Sequence, residues 1–458
     1  MASFTVEEIL QATGGELLQK GSAFRCSGVS TDTRTIKKGE LFIPLSGENF
    51  NGHKFLKSAA EKGASVLILS ETKWLSAIPP DVTVIQTASA KQALEDLASF
   101  HRLRFHLPVI AVTGSNGKTT TKDMITAVLE RTMTVCRTEK NFNNEIGLSQ
   151  TLLRLTEKDD ACVVEMGMRG LGQIRELCSI AHPTIGVVTN VGTSHIGLLG
   201  SRENIARAKA ELVEALPACG TAVLNGDDPF VSAMGRAFAG KVTSFGIGGG
   251  FDVSAADVAF HPDGTSFVCR EGRENFPVCL RLLGIHNVYD ALAAAAVGRL
   301  LGVPAAEQKK ALESFVSQSA SQRILHVDGV TVLDDSYNAN PLSVEMAMRA
   351  LLQIGGNHHI LVLGDMLELG RFAEDLHRSI GERAAGMKFD RLLTVGPLSR
   401  ITAEAARQGG LPAESYDTCR DAAARLKSIA RPGDAVLIKG SHAMHMETIP
   451  GLWRGETE

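Results

Sequence analysis

Apolar positions in this chain fall into short unbroken runs, separated by stretches in which they recur at helical spacing. Val109, Ile110, Ala111, Val112 and Thr113 make the clearest run. It leads into a loop punctuated by Gly114 and Gly117. Met124, Ile125, Val128 and Leu129 then mark one helix face, with Lys122, Asp123 and Glu130 between them. Strand, tight loop and helix are therefore predicted in succession. Runs at 161–166, 184–191 and 221–224 show no polar alternation, the pattern of parallel strands covered on both faces. Between 251 and 283 the segments shorten and alternate around Gly and Asp turns, which predicts antiparallel strands at that sheet's edge. Earlier in the chain, Phe55, Leu56, Ala59 and Ala60 have helical spacing and Gly63 stands at a helix end; strands at 64–69 and 82–85 follow. From about residue 320, strands at 331–335, 359–365, 391–396 and 434–440 alternate with helical stretches, and Pro341 opens one of these helices.

A length of 458 residues exceeds one ordinary core. The predicted fold class is α/β in three domains. A small N-terminal α/β domain covers 1–100, a central parallel-sheet phosphate-loop domain 101–318, and a C-terminal dinucleotide-fold-like domain 319–458. The last has no Gly-x-Gly-x-x-Gly fingerprint, which argues against a nicotinamide cofactor. With 44% apolar and 21% charged residues the chain reads as globular, and a net charge of -4 argues against nucleic acid or an anionic membrane as the main partner. The eight cysteines show no metal or disulfide spacing, so a reducing compartment is expected. No signal peptide or transmembrane segment is expected: the alanine-rich stretch at 291–301 is interrupted by Gly298 and Arg299 and reads as a buried helix. A soluble cytoplasmic protein, monomeric, is the expectation.

The loop carries the chemistry. Backbone N–H groups of Gly114, Ser115, Asn116 and Gly117 and the dipole of the following helix converge where a phosphate would lie. Lys118 can reach terminal phosphates, and the Thr119 hydroxyl, followed by Thr120, can ligate magnesium. Val112 stands where the full Walker spacing has its first glycine. Glu165 and His195 also follow the apolar parts of strands, so one site could gather Thr119, Glu165 and His195, a donor set suited to magnesium beside phosphate oxygens. Other positions stay open on residue chemistry alone. Thr31 to Arg34 fits a capped turn or a ligand loop, His286 and Asn287 fit a helix cap or a ligand contact, and Lys209 reads by default as a solvated surface lysine.

Several stretches together resemble the Mur ligase family, the ATP-dependent amide-forming enzymes of peptidoglycan precursor synthesis. They are the loop 113–120, Asn141-Phe142-Asn143-Asn144-Glu145-Ile146-Gly147, residues 165–170, Asp334-Asp335-Ser336-Tyr337-Asn338-Ala339-Asn340-Pro341, residues 363–370, and Lys439-Gly440-Ser441. Within the family the match is to members that join D-alanyl-D-alanine to UDP-N-acetylmuramoyl-tripeptide. The resemblance implies a UDP-sugar-binding N-terminal domain, a central ATPase domain, and a C-terminal domain that closes with the amine substrate. It places Asp32, Thr33 and Arg34 with the loop 47–53 near the uridine diphosphate, and Asn143 and Asn144 by the muramoyl part, with Asn338 also toward substrate. Glu165 and His195 become magnesium ligands, and Lys209 a carbamylated lysine that helps hold a second metal. His286 and Asn287 lie near adenine, while Arg323 and Asp335 reach the nucleotide from the third domain. One departure is His442, where relatives often carry arginine. A folylpolyglutamate-synthase-like ligase would share the loop and metal site, but the 334–341 stretch and the N-terminal domain argue against it. A phosphate-loop kinase and a non-catalytic nucleotide-binding scaffold are the readings outside this class.

Overall fold

The computed structural model describes residues 2–47, 49–317 and 322–456. Glu48, inside the expected uridine loop, and the expected domain junction at 318–319 lie outside the described residues. Three main sheets are present among them. In the N-terminal unit the strands run in the order Glu16–Gln19, Thr83–Gln86, Val66–Leu69, Leu41–Phe42, Val29–Ser30, and all pairings but the first are parallel. The predicted helix is Leu56–Glu61, reached through a 3-10 turn at Gly52–Phe55. Helix Ala90–Arg102 runs through the expected junction at residue 100.

The central sheet has nine strands. Its parallel part runs Val135–Arg137, Ala161–Glu165, Val109–Thr113, Ile185–Val188, Thr221–Asn225, Lys241–Ile247, Val253–His261, and two antiparallel strands, Gly264–Glu271 and Glu274–Leu280, finish it. The antiparallel edge is where the alternation predicted it. Strands Val135–Arg137 and Lys241–Ile247 went unpredicted, being short or only partly buried. Strand Val109–Thr113 explains why no alternation is visible. Ile110 and Val112 pack with Met124, Ile125 and Ala291 on one face, while Val109 and Ala111 pack with Leu148, Ile174 and Leu212 on the other. The connection out of this strand runs toward Val135–Arg137, while that out of its neighbour Ile185–Val188 runs the other way to Thr221–Asn225, so the carboxyl ends of this pair form a topological switch point, where ligands collect.

The alanine-rich stretch forms helix Ile285–Leu300 and lies directly against helix Lys118–Leu129. Small side chains permit that approach: a Cβ on Gly298 would come within 2.6 Å of Val128 Cγ1. Among the described residues no helix is long and apolar enough to cross a membrane, and all eight cysteines are free.

The C-terminal sheet is ordered Arg323–Val327, Val330–Asp334, Ala435–Lys439, His359–Gly364, Arg391–Val395, Ala413–Tyr416, parallel except for the first hairpin. Its first and last strands were not predicted; both lie at edges and are only partly buried. Asn340 caps helix Pro341–Leu351 through a reciprocal capping box with Ser343.

Candidate active site

The phosphate loop is held in shape before any ligand arrives. Gly117, at φ 82°, is the N-cap of helix Lys118–Leu129 and supplies no side chain, so the first-turn N–H groups stay available to an anion. A Cβ there would lie 2.5 Å from Asp290 Oδ1, and one on Gly114 only 1.8 Å from Thr189 Oγ1. Residues 189–192, which follow the neighbouring strand, grip the loop. Ser115 N donates to Asn190 O (2.9 Å), Asn116 N to Asn190 Oδ1 (3.0 Å), Thr189 Oγ1 to Asn116 O (2.6 Å) and Gly192 N to Ser115 Oγ (2.8 Å). Lys118 Nζ donates back to Gly114 O at 2.9 Å. Burial lowers the pKa of this ammonium and the Glu165 carboxylate opposes that shift, so an added anion here gains a desolvated cation.

Glu165 ends its strand 2% exposed. Its Oε2 accepts from Thr119 Oγ1 at 2.9 Å and its Oε1 from Asn143 Nδ2 at 2.8 Å. The structure thus brings Thr119, Glu165 and Asn143 together. His195 lines the same cavity, and its Nδ1 stands 2.6 Å from Glu368 Oε2. A ring nitrogen tied to a carboxylate is the usual arrangement of a histidine whose other nitrogen ligates a metal. Among the described residues, no three His, Cys, Asp or Glu side chains stand close enough to hold a metal ion alone. Hydroxyl, carboxylate and imidazole therefore fit magnesium only with phosphate oxygens and water completing its shell, which is how this ion is usually held.

Lys209 corrects the surface default. It lies in helix Arg202–Glu214 at 2% exposure, with no hydrogen-bond or ion-pair partner among the described residues. Burial, and then the nearby Lys118, push its pKa well down, so the amine is driven toward its neutral form.

A cavity of about 1270 Å³ joins this cluster to the C-terminal domain. Lys439, buried at the end of strand Ala435–Lys439 and lining the cavity, donates to Asp335 Oδ2 (2.6 Å) and to the carbonyls of Asn338 (2.9 Å) and Asp335 (3.2 Å). Asn340 Nδ2 donates to Asn116 Oδ1 (2.6 Å) and Ser194 Oγ (3.0 Å), linking the helix cap of one domain to the phosphate loop of the other. Ser115, Asn116, Gly117, Lys118, Thr119, Thr120, Asn143, Asn144, Glu165, His195, His286, Asn287, Asp335 and Asn338 all line this cavity, whereas Gly114 and Lys209 do not. Asn144 also caps helix Glu145–Leu152 by accepting from Gly147 N. His286 and Asn287 sit in the first turn of their helix and do not cap it; Gly284 holds that position. Both contact Gln322, at 2.7 Å and 2.8 Å, and burial drops the His286 pKa to about 4. Arg323 is not brought to the cavity and pairs with Asp334 at 3.0 Å. Asp32, Thr33 and Arg34 also lie outside it. Asp32 accepts from Arg34 N at 2.8 Å and from its guanidinium at 2.7 Å, a capped turn with the Arg34 side chain exposed. Gln150, on the cavity rim, donates to Thr31 Oγ1 at 3.0 Å and joins this turn to the site.

Family models match three consecutive parts of the chain: the Mur ligase family catalytic domain at residues 25–107, the Mur ligase middle domain at 112–298, and the Mur ligase glutamate ligase domain at 321–442. The chain belongs to the Mur ligase family. It is 37% identical over 426 residues to the UDP-N-acetylmuramoyl-tripeptide–D-alanyl-D-alanine ligase of Bacillus subtilis, covering 92% of each chain. The enzyme of the same name from Escherichia coli is 32% identical, with 98% of each covered. Among solved structures, a MurF crystal structure from Acinetobacter baumannii superposes with a TM-score of 0.91 at 30% identity over the whole of both chains. MurF from Thermotoga maritima, in complex with ADP, gives 0.83 at 26% identity, covering 94% of this chain and 97% of the other.

Sequence reasoning assigned no role to three residues of this Mur ligase site: Asp290, Lys439 and Glu368. Each acts on a partner distant in sequence, which local spacing cannot report. Asp290 is 4% exposed beneath the loop and accepts from Thr121 Oγ1 at 2.5 Å. Burial pushes its pKa up to about 7. The folded protein therefore holds a proton that the unfolded chain releases near pH 4, so stability declines as pH rises from about 4 to about 7. Asp290→Asn keeps the acceptor for Thr121 and cannot ionise. Relative to the parent, its melting temperature is expected to be a few degrees higher at pH 8 than at pH 5. Equal differences at both pH values in thermal unfolding would contradict the buried proton.

Proposed function

We propose that this Mur ligase is the ATP-dependent amide ligase that adds D-alanyl-D-alanine to UDP-N-acetylmuramoyl-tripeptide, giving the UDP-muramoyl-pentapeptide of peptidoglycan synthesis. The observation that carries the reading is the shared cavity. A phosphate loop with Lys118, Thr119 and Glu165 faces a second domain that presents Lys439, Asp335 and Asn338 to it. A kinase needs only a nucleotide and an acceptor, whereas a ligase needs room for a nucleotide, an acid and an amine between closing domains.

A carboxylate cannot expel oxide near neutral pH, so it must first be activated. In this reading the tripeptide's terminal carboxylate oxygen attacks the γ-phosphorus of ATP. The new O–P bond replaces the bond to the β-phosphate oxygen, and ADP leaves with the electron pair. The amine of D-alanyl-D-alanine then attacks the acyl carbon, phosphate departs from it, and the amine gives up a proton. Two anions meet in the first step, and Lys118, desolvated beside the loop, offsets their repulsion as charge builds on the transferring group. Thr119, Glu165 and His195 would hold magnesium, which neutralises phosphate charge when bound. Lys209, buried and tending to neutrality, has the form that captures carbon dioxide, and the carbamate so formed would supply a second carboxylate to the metal site. His286 and Asn287 would lie by adenine, Asn143 and Asn144 by the muramoyl part, and the 32–34 turn by the uridine diphosphate. The C-terminal domain, docked through Asn340, excludes water that would hydrolyse the acyl phosphate.

The test supplies ATP, magnesium, UDP-muramoyl-tripeptide and D-alanyl-D-alanine and looks for the pentapeptide product by mass, with ADP and phosphate in step. ATP consumed without that product would leave a kinase or hydrolase; ATP bound and never consumed would leave a scaffold.

A further inference from the structure

The C-terminal domain touches the central domain at a second place, away from Asn340. Glu368 reaches across the seam and accepts on both carboxylate oxygens: Oε2 lies 2.6 Å from His195 Nδ1, and Oε1 3.1 Å from Arg169 Nη2. Its backbone carbonyl accepts from Gly197 N at 3.2 Å. Beside this contact the two backbones meet with no side chain between them. A Cβ on Gly197 would fall 2.5 Å from Gly370 N and 2.7 Å from Glu368 O, and one on Gly370 would fall 2.8 Å from Gly197 Cα. His195 (φ 62°) and Glu368 (φ 61°) both hold left-handed backbone, uncommon away from glycine, so their surroundings must fix them there. The Glu368 loop is itself anchored within its domain. Met366 N donates to His377 Nε2 at 3.1 Å, Leu367 N to Ser441 Oγ at 2.8 Å, and Leu369 is buried.

A neutral imidazole carries one N–H. A carboxylate accepting at Nδ1 requires the proton there, which leaves Nε2 as the ring's basic nitrogen on a side chain that lines the cavity. We propose that Glu368 is a positioning residue: docking of the C-terminal domain fixes the ring orientation and tautomer of His195, so the metal site is finished only when the domains close. The inference rests on the ligase reading and adds to it an order of events. With the domains apart, Thr119 and Glu165 remain paired within the central domain, but His195 has lost the group that holds its proton on Nδ1. The set that would hold magnesium, Thr119, Glu165 and His195, is then incomplete until closure, which ties activation of the acid to a site already shut against water.

The test uses full-length protein labelled with 15N-histidine, with His195→Asn identifying the resonance. In the parent, adding a non-hydrolysable ATP analogue, magnesium and UDP-muramoyl-tripeptide should bring His195 to the Nδ1–H tautomer as the scattering radius contracts. Glu368→Ala should lose that tautomer preference and raise the magnesium concentration for half-maximal ligation about 10- to 100-fold, the usual cost of removing a group that orients a metal-binding histidine. Its metal-free nucleotide affinity should stay unchanged. Gly197→Ala keeps both side chains and obstructs only the backbone contact. It should fail to contract fully and show the same loss of tautomer. Retention of the Nδ1–H form in Glu368→Ala, or full contraction with parental magnesium dependence in Gly197→Ala, would overturn the proposal. Parent protein that makes no pentapeptide would overturn the ligase reading and this proposal with it; ligation by the parent alongside either contrary variant result would overturn this proposal alone.

Discussion

Replacing Lys118 with alanine is expected to lower kcat for ligation about 10³-fold or more, the scale on which a group stabilising transition-state charge in phosphoryl transfer is missed. The loop should keep its shape, because the variant loses the ammonium's bonds to the Gly114 and Ser115 carbonyls but keeps those between 115, 116 and 189–192. KM for ATP should therefore move much less than kcat, the mark of an interaction made chiefly in the transition state. Steady-state kinetics with the mass-detected product decides the point, and near-normal turnover would rule out the assigned role. Lys118 is half-buried on the cavity wall, and the desolvation that lowers its pKa also limits how far solvent can stand in for the lost cation.

Replacing Lys209 with alanine is expected to cost about 10²-fold or more in kcat by the same electrostatic argument, and that loss should be partly reversed by acetate, propionate or another short-chain carboxylate. The variant leaves a buried space where the lysine lay, and a small carboxylic acid can bring to it the functional group that a carbamate would carry. Activity measured against carboxylate concentration should rise and saturate. Full activity without rescue would make Lys209 an inert core lysine. A permanent charge there would lack any partner among the described residues, an expensive arrangement that buried lysines commonly escape by giving up the proton.

Much of this site could be read from residue order because its elements are local. Residues 109–121 carry strand, loop and helix in one uninterrupted pattern, and Glu165 ends a run whose apolar character announced a covered strand. Lys209 was hidden for a physical reason. Its helix carries charge on more than one face, with Glu211 also buried, so periodicity could not single out the covered side. Glu368 stood within a recognised stretch, yet its value lies in reaching His195, 173 residues earlier in the chain. The Asn116 and Asn340 amides meet across 224 residues, and nothing in either neighbourhood anticipates the other. Edge strands Arg323–Val327 and Ala413–Tyr416 were missed because half-burial dilutes the apolar signal. Arg323 illustrates the converse: a matched position whose guanidinium is engaged by the adjacent Asp334 and held out of the cavity.

The alanine-rich helix beneath the phosphate loop has a last consequence. Ala291, Ala293, Ala294, Ala295 and Ala296 are wholly buried, and Gly298 touches Val128 closely. Such a floor has no slack: inserting even a few extra atoms would shove the neighbouring helix, at roughly 1–3 kcal/mol of strain. Only residues of similar size are expected to be accommodated at these positions, and a larger one would be felt first as poorer grip on the triphosphate, although no altered atom touches it.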